Sequence, residues 1–231
     1  MNTLLLIETA TPVCSVALAE EGCIVARRES DAPDAHSTQL PLFVKELLAT
    51  GTPTVVCVSS GPGSYTGLRI GVSTAKGLCY GLGIPLLSVP TLFSMASLYY
   101  NQHPDYRGLV CPMIDARRME CYTMMVQRAE VGGQCALVRD TQADVIEEDI
   151  YDEWFERGEV MFIGNGAAKT RTLLGVHPNA RYDESFRISA EGLLQPALQL
   201  LAKGKTEDVA YFEPFYLKDF VAKKSVVHGL R

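Results

Sequence analysis

Short unbroken apolar runs alternate with stretches of helical period along the first half of this chain. Leu4-Leu5-Leu6-Ile7 is continuous and apolar, which predicts a strand buried on both faces, and Glu8-Thr9-Ala10-Thr11-Pro12 follows as its turn. Residues 13–18 predict a second strand, Glu20-Glu21-Gly22 a hairpin turn and residues 23–26 the start of a third strand. Residues 31–34, with a proline and charges, read as a loop. Ser37 or Thr38 is a suitable cap for a helix running to about Ala49, and Pro41 lies close enough to its start to be tolerated. Gly51 and Pro53 close that helix. Val55-Val56-Cys57-Val58 predicts another buried strand, and after a glycine-rich turn Leu68, Val72, Ala75, Cys79 and Leu82 fall on one face of a second helix. A strand at Leu86–Val89 and a helix over residues 91–99 complete this half.

The polar, turn-rich stretch 101–108 marks a lobe boundary, giving a first lobe of residues 1–105 and a second of residues 106–231. The pattern then repeats. Residues 109–114, 121–126 and 135–138 are strand candidates, with Gly132-Gly133 as a hairpin turn. Residues 143–157 form a polar, helix-compatible stretch. Residues 160–163 predict a strand, and residues 167–174 a helix after Gly164-Asn165-Gly166. A helix over residues 189–202 and a tail around Phe212-Glu213-Pro214-Phe215-Tyr216-Leu217 follow, and both are free to pack back on the first lobe. Strand-strand-strand-helix-strand-helix thus occurs twice. The fold class this implies is α/β, with a mixed sheet flanked by helices in each of two lobes.

The turn Ser59-Ser60-Gly61-Pro62-Gly63-Ser64-Tyr65-Thr66-Gly67-Leu68-Arg69-Ile70-Gly71 joins a strand to a helix, where backbone N–H groups are left without helical partners. Two readings follow. The turn can hold an anion, with Glu8, Gly61, Gly63, Ser64 and Asp115 as candidate anion or nucleotide contacts. Alternatively the row Gly67-Gly71-Ala75, spaced by four, lets another helix approach closely. The turn is neither a Walker A loop, since no Gly-Lys-Ser/Thr follows, nor the dinucleotide fingerprint, since its glycines are spaced G-x-G-x-x-x-G. Helix faces add to the second reading. Leu40, Phe43, Val44, Leu47 and Leu48 make a broad apolar arc with Leu42 nearly opposite, and Ile70 and Tyr80 lie off the arc of the second helix.

Composition narrows the chemistry. A net charge of −6 argues against tight solo binding of nucleic acid, although Arg117-Arg118 and Lys223-Lys224 leave room for a minor contact within an assembly. Seven scattered cysteines with no C-x-x-C pair suit buried thiols in a reducing compartment. With no signal-like start and no run long enough to span a membrane, the expected location is cytoplasmic. His36, His103, His177 and His228 are isolated, so no metal and no cofactor are expected. No acidic residue lies between Glu46 and Asp105, so the glycine turn and its helix bring no carboxylate of their own for general base chemistry. Glu8 is the best-placed candidate from elsewhere, with capping of turn N–H groups as its plainer role. Asp115 either faces Glu8 across a cleft or pairs with Arg117 or Arg118.

These residues carry a resemblance. Gly61-Pro62-Gly63-Ser64-Tyr65-Thr66-Gly67-Leu68-Arg69-Ile70-Gly71 resembles the signature of the bacterial TsaB (YeaZ) family, part of the machinery that makes threonylcarbamoyladenosine beside the tRNA anticodon. The opening Leu6-Ile7-Glu8-Thr9-Ala10-Thr11, the stretch Cys14-Ser15-Val16-Ala17-Leu18, His36-Ser37, Met113-Ile114-Asp115-Ala116-Arg117-Arg118, Gly164-Asn165-Gly166-Ala167 and Glu213-Pro214-Phe215-Tyr216-Leu217-Lys218 extend it over nearly the whole chain. The family usually carries Asp-Thr-Ser where this chain has Glu8-Thr9-Ala10, and the link from Leu48 to Val55 is short.

The resemblance implies a two-lobed fold of the actin, sugar-kinase and heat-shock-chaperone (ribonuclease H-like) class. It also implies a non-catalytic subunit that binds and activates a catalytic paralogue of TsaD type, with an ATPase of TsaE type as a further partner. Transfer RNA is then reached only through the complex, and no membrane is involved. The catalytic relative carries an H-x-x-x-H pair, and the comparable stretch Ser88-Val89-Pro90-Thr91-Leu92-Phe93 has no histidine. The expected interface comprises His36, Leu40, Phe43, Val44, Leu47, Gly67, Leu68, Gly71, Val72, Ala75 and Cys79. Gly71→Leu is expected to abolish partner binding and leave the lobe folded. The same surface is a candidate homodimer contact. The alternative reading is an ATP-dependent phosphotransferase of this fold, yet kinases of the class use an Asp-x-Gly-Thr turn and Glu8-Thr9-Ala10-Thr11 has no glycine.

Overall fold

The computed structural model describes residues 2–129 and 135–218, so the Gly132-Gly133 turn, the Lys223-Lys224 pair and His228 lie outside the described residues. The apolar runs build two five-stranded sheets of one design. Strands β1 (Thr3–Glu8), β2 (Cys14–Glu20) and β3 (Cys23–Ser30) form an antiparallel meander, and β4 (Val55–Ser59) and β5 (Leu86–Val89) continue the sheet in parallel on the far side of β1. In the second sheet β6 (Leu109–Asp115), β7 (Glu120–Arg128) and β8 (Cys135–Val145) repeat the meander, while β9 (Val160–Ile163) and β10 (Ala180–Asp183) repeat the parallel pair. The ends of β1 and β6, Glu8 and Asp115, therefore hold equivalent places in the two sheets.

Both faces of the first sheet are covered, which is why its strands read as unbroken apolar runs rather than alternating ones. Leu5, Ile7, Val16, Val56 and Val58 face helices α1 (Ala35–Thr38), α2 (Leu40–Leu48) and α3 (Tyr65–Leu82). Leu4, Leu6, Ala17, Cys57 and Leu87 face α7 (Leu194–Ala202) on the other side. In the second sheet Val110 and Ile114 face α4 (Thr91–Gln102), while Cys111 and Met113 face the layer that holds α5 (Asp152–Phe155) and α6 (Arg171–Leu174). Chain order and spatial layer part at two places. Helix α4 precedes the second sheet in sequence and packs on it, and α7 follows that sheet and packs on the first.

Several elements differ from the sequence expectation. The first helix is split at Gln39, and Ser37 and Thr38 do not cap it. They lie inside α1 with both hydroxyls donating to the Asp34 carbonyl at 3.0 Å. The stretch 143–157 is not one helix, because β8 runs on to Val145 and only Asp152–Phe155 is helical. The residues of that stretch that belong to β8 lie at a sheet edge, where β8 pairs with β7 alone. Strand β3, expected to start at residues 23–26, runs from Cys23 to Ser30, and β10 has no counterpart in the sequence reading. The last helix opens with a 3-10 turn, Ala190–Leu193, in which Ala190 N donates to Ser15 Oγ at 2.9 Å and Glu191 N to Ser189 Oγ at 3.3 Å.

Candidate functional site

The glycine turn between β4 and α3 lies against the turn that ends β1. Ser64 caps α3, its Oγ accepting from Gly67 N at 3.2 Å, and Ser64 N donates to the Ala10 carbonyl at 2.7 Å. The glycines exist for this approach. A Cβ on Gly63 would strike the Ala10 carbonyl, one on Gly67 the Thr9 carbonyl, and one on Gly71 the Thr9 hydroxyl. Gly61 sits at φ 110°, a conformation that side chains avoid, with its N–H donated to Thr91 Oγ1 at 3.1 Å. The tail completes the packing: Phe215 N donates to the Ser60 carbonyl at 2.7 Å, and the Tyr216 ring lies 4.9 Å from that of Tyr65.

Glu8 lies beneath this junction with no exposure. Its Oε1 accepts from Ala10 N at 2.7 Å and from Ser59 Oγ at 3.0 Å, which is the turn-capping role, while Oε2 is buried without a partner. Burial pushes its carboxyl from 4.5 up to about 7, against the lowering effect of the Ala10, Ser59 and Thr9 hydrogen bonds. Asp115, at the equivalent end of β6, is exposed. It accepts from Arg117 N at 2.8 Å and pairs with Lys169, not with the side chains of Arg117 or Arg118. Partial burial pushes Asp115 upward, but the Lys169 contact and the Arg117 N–H outweigh it and leave the carboxyl below its ordinary value. Lys169 also donates to the Arg118 and Glu120 carbonyls at 2.8 and 2.6 Å. It thereby pins a hairpin tip in which Arg117 and Arg118 both hold positive φ, 73° and 50°.

Of the five candidate anion contacts, Gly63, Ser64 and Asp115 line one cleft of about 600 Å³ between the lobes, together with Thr11, Arg117 and Lys218. Glu8 and Gly61 do not line it. The N–H groups of Gly61, Ser64 and Gly67 are all donated within the protein.

The expected interface residues fall differently from the sequence reading. Leu40, Val44, Leu47, Leu68, Val72, Ala75 and Cys79 are buried in the lobe's own core, packed on β1, β2 and β4. Gly67 and Gly71 are spent on the Thr9 turn. These residues are therefore corrected from partner surface to core, because the apolar arc of each helix is what the sheet covers. Phe43 is half-buried against the same core, and His36 is half-buried with Nε2 3.3 Å from the Val13 carbonyl. What α2 and α3 present outward is Leu42, Tyr80 and Leu82, which are 52%, 87% and 45% exposed. Between them on α3 lie Ser73, Gly77 and Gly81, all exposed, and a Cβ on either glycine would meet open space. Leu42 and Tyr80 already stood off the helical arcs in the sequence. The outward glycines could have been found by the same wheel, since Ser73, Gly77 and Gly81 are also spaced by four. Among the described residues no three His, Cys, Asp or Glu side chains gather as a metal site, and no helix is long and apolar enough to cross a membrane.

Two mixed sheets of one topology, flanked by helices and closing on a common cleft, define a two-lobed α/β protein of actin-like fold. The family model of TsaD, tRNA N6-adenosine threonylcarbamoyltransferase, matches residues 27–226. The chain is 34% identical to the tRNA threonylcarbamoyladenosine biosynthesis protein TsaB of Escherichia coli K12 over 96% of its length and 97% of that protein's. It is 36% identical to the TsaB protein of Bacillus subtilis over 54% of this chain and 55% of that one. The solved structure of YeaZ from Pseudomonas aeruginosa is similar with a TM-score of 0.82 at 28% identity, covering 94% of this chain and all of the other. The chain belongs to the TsaB (YeaZ) family.

Proposed function

We propose that this protein takes part in tRNA threonylcarbamoyladenosine biosynthesis as a partner subunit, without catalysis of its own. It binds a catalytic paralogue of TsaD type and holds it competent to transfer threonylcarbamoyl to the adenosine beside the anticodon. An ATPase of TsaE type joins the assembly, tRNA is engaged in that context, and the location is the cytoplasm. The observation that carries this reading is the outward face of α2 and α3. Leu42 on α2 stands in solvent, and on α3 Tyr80 and Leu82 do so on the helix that carries the bare backbone of Gly77 and Gly81. Apolar side chains flanking a strip where a second helix can approach closely suit a helix-to-helix contact, and the same face can pair two copies of this chain.

The test is a reconstituted reaction with the catalytic paralogue, its ATPase partner, tRNA, threonine, bicarbonate, ATP and the enzyme that makes the threonylcarbamoyl donor. Modified adenosine formed only when this protein is present is the expected result. Equal product with and without it would overturn the reading.

A further inference from the structure

Beyond α7 the chain runs back over the surface. Residues 207–218 pass as irregular backbone from the edge of the first sheet, across α3 and the glycine turn, to the hairpin tip of the second lobe. Each stage is pinned. At β5, Glu207 N donates to the Leu86 carbonyl at 2.9 Å and Ser88 Oγ to Glu207 Oε1 at 2.6 Å. At α3, Lys76 Nζ donates to the Ala210 and Phe212 carbonyls at 3.1 and 2.9 Å. At the glycine turn, Phe215 N donates to the Ser60 carbonyl, and a Cβ on Gly61 would strike the Phe215 carbonyl. At the far end, Lys218 pairs with Glu120 of β7.

These anchors are unequal. Those on the first lobe are mostly hydrogen bonds to backbone carbonyls, spread over several elements. The Lys218–Glu120 anchor on the second lobe is an ion pair between two side chains that both keep part of their exposure, the kind that water and salt weaken. Tyr211, Phe215 and Tyr216 remain exposed, so the segment is held by point contacts more than by buried area. Phe215, Tyr216, Leu217 and Lys218 also line the cleft of about 600 Å³ between the lobes, together with Asp115 and Arg117 of the second lobe. A segment fixed firmly to one lobe and lightly to the other, over the cleft that separates them, can let the lobes part by giving up its weaker end.

We propose that residues 207–218 are a strap that holds the inter-lobe cleft closed, and that the cleft opens when the Lys218–Glu120 end lets go while the rest stays on the first lobe. The strap is independent of the subunit role proposed above.

The experiment reads the separation of two spin labels in the full chain by pulsed electron resonance, and follows hydrogen exchange of the Phe215 amide in parallel. The labels are non-canonical amino acids, because the chain has seven cysteines. They replace Thr66 on the cleft wall and Arg118 at the hairpin tip, both exposed. Glu120→Lys repels Lys218, and Lys76→Met removes a first-lobe anchor. Glu159→Lys is the control: it makes the same charge change as Glu120→Lys but breaks the Arg181 ion pair at the other end of the second sheet. Wild type is expected to give one short separation at low salt and a longer one as salt rises. Glu120→Lys should show the longer separation at every salt concentration, with the Phe215 amide still protected. Lys76→Met should show it too, with Phe215 exchanging about tenfold faster. Glu159→Lys should match wild type. An unchanged separation in Glu120→Lys would overturn the strap, as would equal lengthening in Glu159→Lys or an unprotected Phe215 amide in wild type. If Lys76→Met melts early, Glu120→Lys and the salt series decide the question by themselves. None of these readouts involves a partner or modification activity, so failure of the subunit reading remains separable.

Discussion

Thr9 Oγ1 occupies the space that a side chain on Gly71 would need. The hydroxyl is buried without a hydrogen-bond partner, and the whole Thr9 residue has no exposure, so it has nowhere to retreat. Gly71 is thus a packing residue of the first lobe, and Gly71→Leu breaks the lobe instead of reporting on a partner.

Gly71→Ala should destabilise the protein by about 1–3 kcal/mol, as overpacking of a close-packed core does. Gly77→Ala, on the same helix with open space around it, should instead stabilise by about 0.5–1 kcal/mol, because alanine has the better helix propensity. Urea denaturation of the two variants side by side decides this; a neutral Gly71→Ala would refute the contact.

The outward face of α3 gives the interface prediction. Tyr80→Ala should weaken binding of the catalytic paralogue by about 1–2 kcal/mol, or roughly 5–30-fold. Gly77→Leu should weaken it by tenfold or more by blocking close approach, while the melting curve stays that of a folded protein. Calorimetric titration reads both, and unchanged affinity in the pair would remove this face from the interface.

Glu8 makes stability depend on pH. Its folded carboxyl holds the proton up to about 7, whereas the unfolded one releases it near 4.5, so the folded state binds more protons between these values. The stabilisation from the protonated form is complete below about 4.5 and is lost as pH rises toward 7. The span amounts to roughly 3 kcal/mol at about 1.4 kcal/mol per pH unit. Glu8→Gln keeps an acceptor for Ala10 N and should flatten the curve over that window. A wild-type stability that rises from pH 4.5 to 7 relative to the variant would contradict this.

In the second lobe, Asp144 Oδ2 accepts from Thr123 at 2.5 Å and from Tyr151 and Arg139 at 2.6 Å each. Asp144→Ala leaves the largely buried Arg139 charge without its partner and should cost about 3–5 kcal/mol. Adding Arg139→Met should recover much of that loss, because the stranded charge is gone. A double-mutant cycle by denaturant unfolding measures the coupling, and simple additivity would show that the pair does not interact.

The repeat was legible in the sequence because a strand buried on both faces must be written as an unbroken apolar run. Leu4 to Ile7, Val55 to Val58 and Leu109 to Ile114 announced the sheet centres, and the long glycine motif was specific enough to identify the family. Edge elements were legible only in part. Leu86–Val89 and the starts of β3 and β8 left a pattern, but the later half of β8 reads as polar because one of its sides meets water, and β10 is too short to leave a pattern. The candidate site divides in the same way. Periodicity showed that Gly67-Gly71-Ala75 lies on the apolar arc of α3, and that Leu42 and Tyr80 lie off the arcs of their helices. A helical pattern states which residues share a face but not what that face meets. Only the folded chain decided that the row meets Thr9 and the sheet, leaving Gly77, Gly81 and Tyr80 to solvent.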